Sequence, residues 1–130
     1  MNDAVLTRIL YVEDDDDIRT VASFALKAVG GFTVEACASG QEALARAQGF
    51  APQLLLLDVM MPGMDGPTTL GRLRALPGLQ ETPAVFMTAK VQPQEVNRYR
   101  ELGSLDVISK PFDPMTLSSS VREIWSRRDG

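Results

Sequence analysis

The chain has 130 residues, 45% of them hydrophobic and 23% charged, with 13 Lys and Arg against 17 Asp and Glu for a net charge of −4. That length suits one domain with its own core, and the acidic balance gives no reason to expect nonspecific attraction to nucleic acid or to an anionic membrane. The single cysteine rules out an internal disulfide, and the absence of histidine rules out phosphohistidine or histidine-base chemistry on this chain.

No N-terminal segment resembles a signal peptide, and the apolar runs fall far short of the ~20 residues that span a bilayer. A soluble cytoplasmic protein is expected. Strand-like apolar runs alternate with helix-period stretches five times. The first strand is predicted over 9–12. Ile18, Val21, Ala22, Ala25, Leu26 and Val29 follow at helical spacing, behind Asp residues that suit an N-cap, and Gly30-Gly31 closes this helix. A second strand over 32–36 is expected, with Cys37 beside it as a small strand residue rather than a redox thiol. Ser39 and Glu42 form a capping box for a helix through about Gln48, stopped by Gly49 and Pro52.

Leu54, Leu55, Leu56 and Leu57 show no polar alternation, as a central parallel strand covered on both faces should not. A loop over 62–66 follows, and Pro67 suits the first turn of the next helix, which turns Leu70 and Leu73 to the core before Pro77-Gly78. The fourth strand is predicted over 83–87, and Val96, Tyr99 and Leu102 mark a fourth helix that Gly103 ends. The fifth strand spans 105–108. Asp113-Pro114 is expected to cap and start a last helix carrying Leu117, Val121, Ile124 and Trp125. Arg122, Arg127 and Arg128 suit the solvated, dipole-negative end of that helix. This alternation favours a doubly wound parallel sheet with right-handed crossovers. With only six residues after Ile124, a stand-alone domain is expected, with a core of about 7–127 and no output domain.

Four strands end in residues with a shared chemistry: Glu13, Asp14 and Asp15 after the first, Asp58 after the third, Thr88 after the fourth, Lys110 after the fifth. Taken singly, each has a plainer role: Asp14 to Asp17 as helix caps, Asp58 in a turn, Thr88 as a cap, Lys110 as a solvated lysine. In an open α/β sheet, however, the ligand crevice lies at the carboxyl ends of the strands. Carboxylates gathered there repel one another, and a hard divalent ion such as Mg2+ relieves this with oxygen ligands. A carboxylate can act as a nucleophile toward phosphorus. The three equatorial phosphoryl oxygens then need fixed partners, for which Mg2+, Lys110, and Thr88 with the Ala89 amide are the matching groups.

The set Val12-Glu13-Asp14-Asp15, Leu57-Asp58-Val59-Met60-Met61-Pro62-Gly63-Met64-Asp65-Gly66, Met87-Thr88-Ala89 and Lys110-Pro111-Phe112 resembles the receiver domains of two-component response regulators over nearly the whole chain. The resemblance implies a flavodoxin-like (βα)5 fold with a five-stranded parallel sheet in order 2-1-3-4-5. It implies that Asp58 accepts a phosphoryl group from a histidine kinase or histidine phosphotransfer protein. Asp14, Asp58 and the Met60 backbone carbonyl would hold Mg2+, Glu13 would act through water, and Lys110 would pair with the phosphoryl group. A cis Lys110-Pro111 peptide is also implied, as is a signalling or relay role without direct DNA binding or membrane contact. Such a protein modifies itself and is not a turnover enzyme.

One departure stands out. Receivers with a hydroxyl–aromatic switch carry Tyr or Phe three residues before the lysine, where this chain has Val107. Output is therefore expected through loop and fourth-helix rearrangement, or through a partner that contacts the site. An aspartate-nucleophile, Mg2+-dependent phosphohydrolase is the alternative, but such enzymes commonly need an acid two residues on, where Met60 stands. Neither a dinucleotide nor a P-loop glycine motif is present. Met60, Met61 and Met64 are expected to pack on helix edges, and Met60 and Lys90 to hinder hydrolytic water. Trp125 is expected as packing remote from Asp58.

Overall fold

The computed structural model describes residues 4–128. Five parallel strands pair in the order β2-β1-β3-β4-β5, with β1 at Arg8–Val12, β2 at Thr33–Cys37, β3 at Leu54–Asp58, β4 at Ala84–Thr88 and β5 at Ser104–Ser109. The helices are α1 at Asp16–Phe24, α2 at Gly40–Phe50, α3 at Gly66–Arg74, α4 at Pro93–Glu101 and α5 at Leu117–Ser126. This is the expected flavodoxin-like sheet.

Strand alternation divides the core in two. Ile9, Tyr11, Leu54, Leu56, Val85 and Met87 face the side covered by α1 and α5, where Leu26, Val121 and Trp125 meet them. Leu10, Val12, Leu55, Leu57 and Phe86 face the other side, against Ala43, Ala47, Leu70, Leu73 and Tyr99 of α2, α3 and α4. All five β3 residues are buried. A central strand covered on both faces has no place for polar alternation, which is why the leucine run suits it.

Local chemistry sets the element ends. Asp15 caps α1 by accepting from the Ile18 amide at 2.9 Å, and Asp65 caps α3 by accepting from the Thr68 amide at 2.8 Å. Ser39 accepts from the Glu42 amide as expected, but Glu42 reaches back to the Ala38 amide at 3.1 Å, one residue upstream of a standard capping box. The second helix runs past Gly49 to Phe50, because Ala51 itself takes the left-handed conformation (φ 55°) that ends it. Residues 25–29 extend α1 as a π-helical turn, a widening that hydrophobic spacing does not reveal. Ser118 of α5 donates to the Ala25 carbonyl at 3.3 Å there. The last helix begins at Leu117, not at Pro114: Asp113 instead closes a turn, accepting from the Met115 amide at 2.9 Å. Leu102, expected as part of the fourth helix, is exposed just past its end at Glu101.

Tertiary packing fixes the surroundings of the tryptophan, the loop methionines and Gly66. Trp125 is buried near the opposite edge of the sheet from Asp58, its indole N–H donating to the Ala4 carbonyl just before β1. Met61 and Met64 are buried as expected, whereas Met60 is 70% exposed, so only two of the three pack inward. Gly66 opens α3 beneath the end of β3, where a Cβ atom would stand 2.5 Å from the Asp58 carbonyl oxygen and 2.9 Å from the Val59 Cα. A side chain there must displace backbone. Gly66→Ala should lower stability by roughly 1–3 kcal/mol through overpacking. Gly71→Ala, on the same helix with nothing within 4 Å of its Cβ position, should raise it by roughly 0.5–1 kcal/mol through helix propensity. Urea denaturation of the two variants distinguishes these signs.

Candidate functional site

The parallel ladder continues beyond the strand ends and delivers the site residues. Glu13 donates its amide to the Cys37 carbonyl, Val59 to Met87 and Lys110 to Thr88. These bonds bring Glu13, Asp58, Thr88 and Lys110 along one edge. Glu13 and Asp58 come from β1 and β3, which are neighbours in space although β2 intervenes in sequence. This is the switch point at which doubly wound sheets open a crevice.

Lys110 lies at the centre. Its ammonium is 2.7 Å from a Glu13 carboxylate oxygen and 3.2 Å from one of Asp58. The Lys110-Pro111 peptide is cis, as the resemblance implied. Glu13 is 1% and Asp58 3% exposed, so water solvates neither carboxylate well. One ammonium cannot balance two buried carboxylates. Burial first, and the neighbouring Glu13 second, raise the Asp58 pKa to about 7 against the opposing pull of Lys110. Burial alone would lower the Lys110 pKa, but its hydrogen bond to Glu13 and the charge of Asp58 outweigh that and hold it above the ordinary lysine value.

Glu13, Asp14 and Asp58 offer carboxylate oxygens that all lie within 4.8 Å of one another. Mg2+ takes oxygen ligands at about 2.0–2.1 Å and keeps several waters, so the carboxylates would draw in around such an ion and water would fill its remaining positions. All three donors are oxygens, and Asp14 is exposed while the other two are buried, which leaves one side open to solvent. The donor set fits a hard divalent cation.

Thr88 is buried at the end of β4, and its hydroxyl oxygen accepts from the Lys90 amide at 3.1 Å, which leaves the hydroxyl proton to donate elsewhere. Ala89 and Met60 lie at the exposed rim. Cys37 is buried in β2, where burial pushes the thiol up to about 11 and makes it a poor nucleophile, in keeping with its assignment as a strand residue. Val107 packs against the cluster that contains Phe86 and Tyr99. Those two rings meet edge to face, with centroids 5.3 Å apart and planes at 73°. An aromatic pair thus stands beside Val107, supplied by β4 and α4. Sequence periodicity placed Tyr99 on a helix but not against Phe86. It also left Tyr11 as plain strand core, although its buried hydroxyl has no hydrogen-bond partner. The only signal for it was a hydroxyl-bearing residue in an aliphatic strand two residues before Glu13.

Fold and site together define a phosphoacceptor-type signalling module. The chain belongs to the response regulator receiver domain family, whose sequence profile matches residues 9–122. It is similar to the transcriptional regulatory protein CseB of Streptomyces coelicolor, 35% identical over 93% of this chain and 50% of CseB. A 14.6 kDa uncharacterized protein of Leptolyngbya boryana is 36% identical over 88% of this chain and 87% of its own length. Among solved structures, the chemotaxis protein CheY4 of Vibrio cholerae matches with a TM-score of 0.83 at 30% identity, covering 92% of this chain and 99% of CheY4. The chain spans about half the length of CseB and of the DNA-binding response regulator MtrA of Mycobacterium tuberculosis. Among the described residues no helix is long and apolar enough to cross a membrane.

The raised Asp58 pKa has a signed consequence. An acid whose folded value exceeds its unfolded one binds its proton more tightly when folded. Its contribution to stability is present below the ordinary value of 3.8 and is lost as pH rises to about 7. Without divalent cations, Asp58→Asn should therefore match the parent near pH 4 and exceed it in stability by pH 8. The gain should reach at most about 4 kcal/mol, the equivalent of the full shift. Paired denaturant titrations across this pH range measure the difference.

Proposed function

We propose that Asp58 accepts a phosphoryl group from a phosphohistidine on a histidine kinase or phosphotransfer protein, and that this changes the surface the domain presents to a partner. The bridging of Asp58 and Glu13 by Lys110 carries this reading, because an ammonium in contact with the acceptor carboxylate is within reach of an arriving phosphoryl oxygen. Asp58 attacks phosphorus only as the carboxylate, and the burial that raises its pKa to about 7 opposes that form. A carboxylate oxygen then forms the new P–O bond while the P–N bond of the donor breaks, its electron pair staying on the imidazole. Lys110 follows the arriving charge, and the Thr88 hydroxyl with the Ala89 amide takes another phosphoryl oxygen. A bound Mg2+, held by Asp14, Asp58 and the Met60 carbonyl with Glu13 acting through water, would neutralise the remaining charge of acids and phosphate.

An open apolar groove of about 490 Å3 adjoins Lys110, lined by Ile18, Val21, Pro111, Phe112 and Pro114 with Asp17 at its rim. Its place beside the acceptor suits a helix of the donor protein. The phosphohydrolase alternative is not favoured. It requires an acid where Met60 points its apolar side chain to solvent. The domain catalyses only its own modification and its reversal, and works in the cytoplasm.

Incubation with acetyl phosphate and Mg2+ should add the mass of one phosphate to the intact protein. Asp58→Asn or excess EDTA should abolish the adduct, and an undiminished adduct in Asp58→Asn would refute the assignment. Output should follow the Phe86–Tyr99 contact, since no ring stands at Val107 to swing inward. Amide NMR shifts on binding a phosphoryl analogue should concentrate in residues 59–64 and in α4. Changes confined to β5 and α5 would count against this route.

A further inference from the structure

The segment between Asp58 and α3 carries the Met60 carbonyl, and little polar contact holds it. Its neck is closed where the Gly66 amide donates to the Val59 carbonyl at 2.9 Å. Within that neck, residues 60–64 make one hydrogen bond, from the Met64 amide to the Pro62 carbonyl at 3.0 Å, which closes a turn at Gly63 (φ 79°) inside the loop itself. Among the described residues, no hydrogen bond joins 60–64 to another segment.

Packing must therefore place this loop. Of residues 60–65 only Met61 and Met64 are buried. Met61 joins the apolar layer under α2, α3 and α4. Met64 belongs to neither apolar layer. It lies instead against Gly40, the first residue of α2, where a Cβ atom would stand 2.8 Å from Met64 Sδ and 3.2 Å from Met64 Cβ. A side chain at position 40 would press the methionine out of its seat.

The turn that leads into Gly40 also holds the acids. Three residues earlier, the Cys37 carbonyl accepts from the Glu13 amide at 3.0 Å. Between these two points the cap of α2 stiffens the chain: the Ser39 hydroxyl accepts from the Glu42 amide and the Glu42 carboxylate from the Ala38 amide, both at 3.1 Å. Residues 37–40 thus touch Glu13 on one side and Met64 on the other, and join the two segments whose oxygens are proposed as Mg2+ ligands.

We propose that Met64 is a positioning residue for the metal: seated on Gly40, it fixes the loop that carries the Met60 carbonyl with respect to Glu13 and Asp14. An unbranched thioether fills so irregular a gap well. A carbonyl held by its neighbours is ordered before the ion arrives. A loose one must be ordered by the ion, and that entropy is subtracted from affinity.

This role rests on the metal arrangement of the proposed acceptor site. Titration of the full chain with MgCl2, followed by amide NMR shifts, reads affinity without phosphorylation. Met64→Ala should bind Mg2+ roughly tenfold more weakly, as removing the support of a metal ligand does. Gly40→Ala, whose methyl meets the same side chain from the other side, should also weaken binding. Val121→Ala, in the apolar layer on the opposite face, should lower the melting temperature yet keep the parent's affinity. Parent affinity in either Met64→Ala or Gly40→Ala, or an equal loss in Val121→Ala, would overturn the role while leaving Asp58 as acceptor, which the acetyl phosphate adduct reports by itself. A parent protein whose amides do not respond to Mg2+ would overturn the metal arrangement along with it.

Discussion

One ammonium shared between two buried carboxylates governs this molecule. Lys110 lies within 3.2 Å of both Glu13 and Asp58, yet its single charge leaves the trio negative before the exposed Asp14 is counted. In water such an imbalance would matter little. Behind almost complete burial it raises the proton affinity of Asp58 and makes the pocket a receptor for added positive charge. The resting site is thus electrostatically incomplete, and a divalent cation or a proton are two ways of completing it.

The sheet enforces this arrangement at a cost to itself. Ladder bonds that continue past β1, β3 and β5 pin the backbone at Glu13, Val59 and Lys110, so the acids cannot drift apart to relieve their repulsion. Gly66 lets α3 start directly beneath Asp58, and Asp65 caps that helix. The apolar layers on both faces supply the stability against which the charged edge is held. Function and folding therefore pull in opposite directions at one edge of a single sheet.

The response to modification is decided in the layer behind the acids. Val107 provides no ring, but Phe86 and Tyr99 form an edge-to-face pair in the same cluster. That pair joins β4, which carries Thr88, directly to α4. On the other face Tyr11 holds a buried hydroxyl without a hydrogen-bond partner.

Much of this was legible in the order of residues. The buried leucine run, the Asp cap of α1, and the polar residues at four strand ends are local features, and local spacing dictates them. Sheet order and the acceptor motif followed from alternation and from a recognisable family pattern. Other features depend on contacts between distant segments: the π-helical turn before Gly30, the late start of α5, the Lys110 bridge to Glu13, the Phe86–Tyr99 contact and the orphaned Tyr11 hydroxyl. Hydrophobic period says which face a residue occupies, but not which side chain from another strand or helix meets it there. Sequence by itself determined which chemical groups reach the carboxyl edge. Only tertiary packing decided how far each is buried and which partner it meets, and for buried charges those two quantities set the energy.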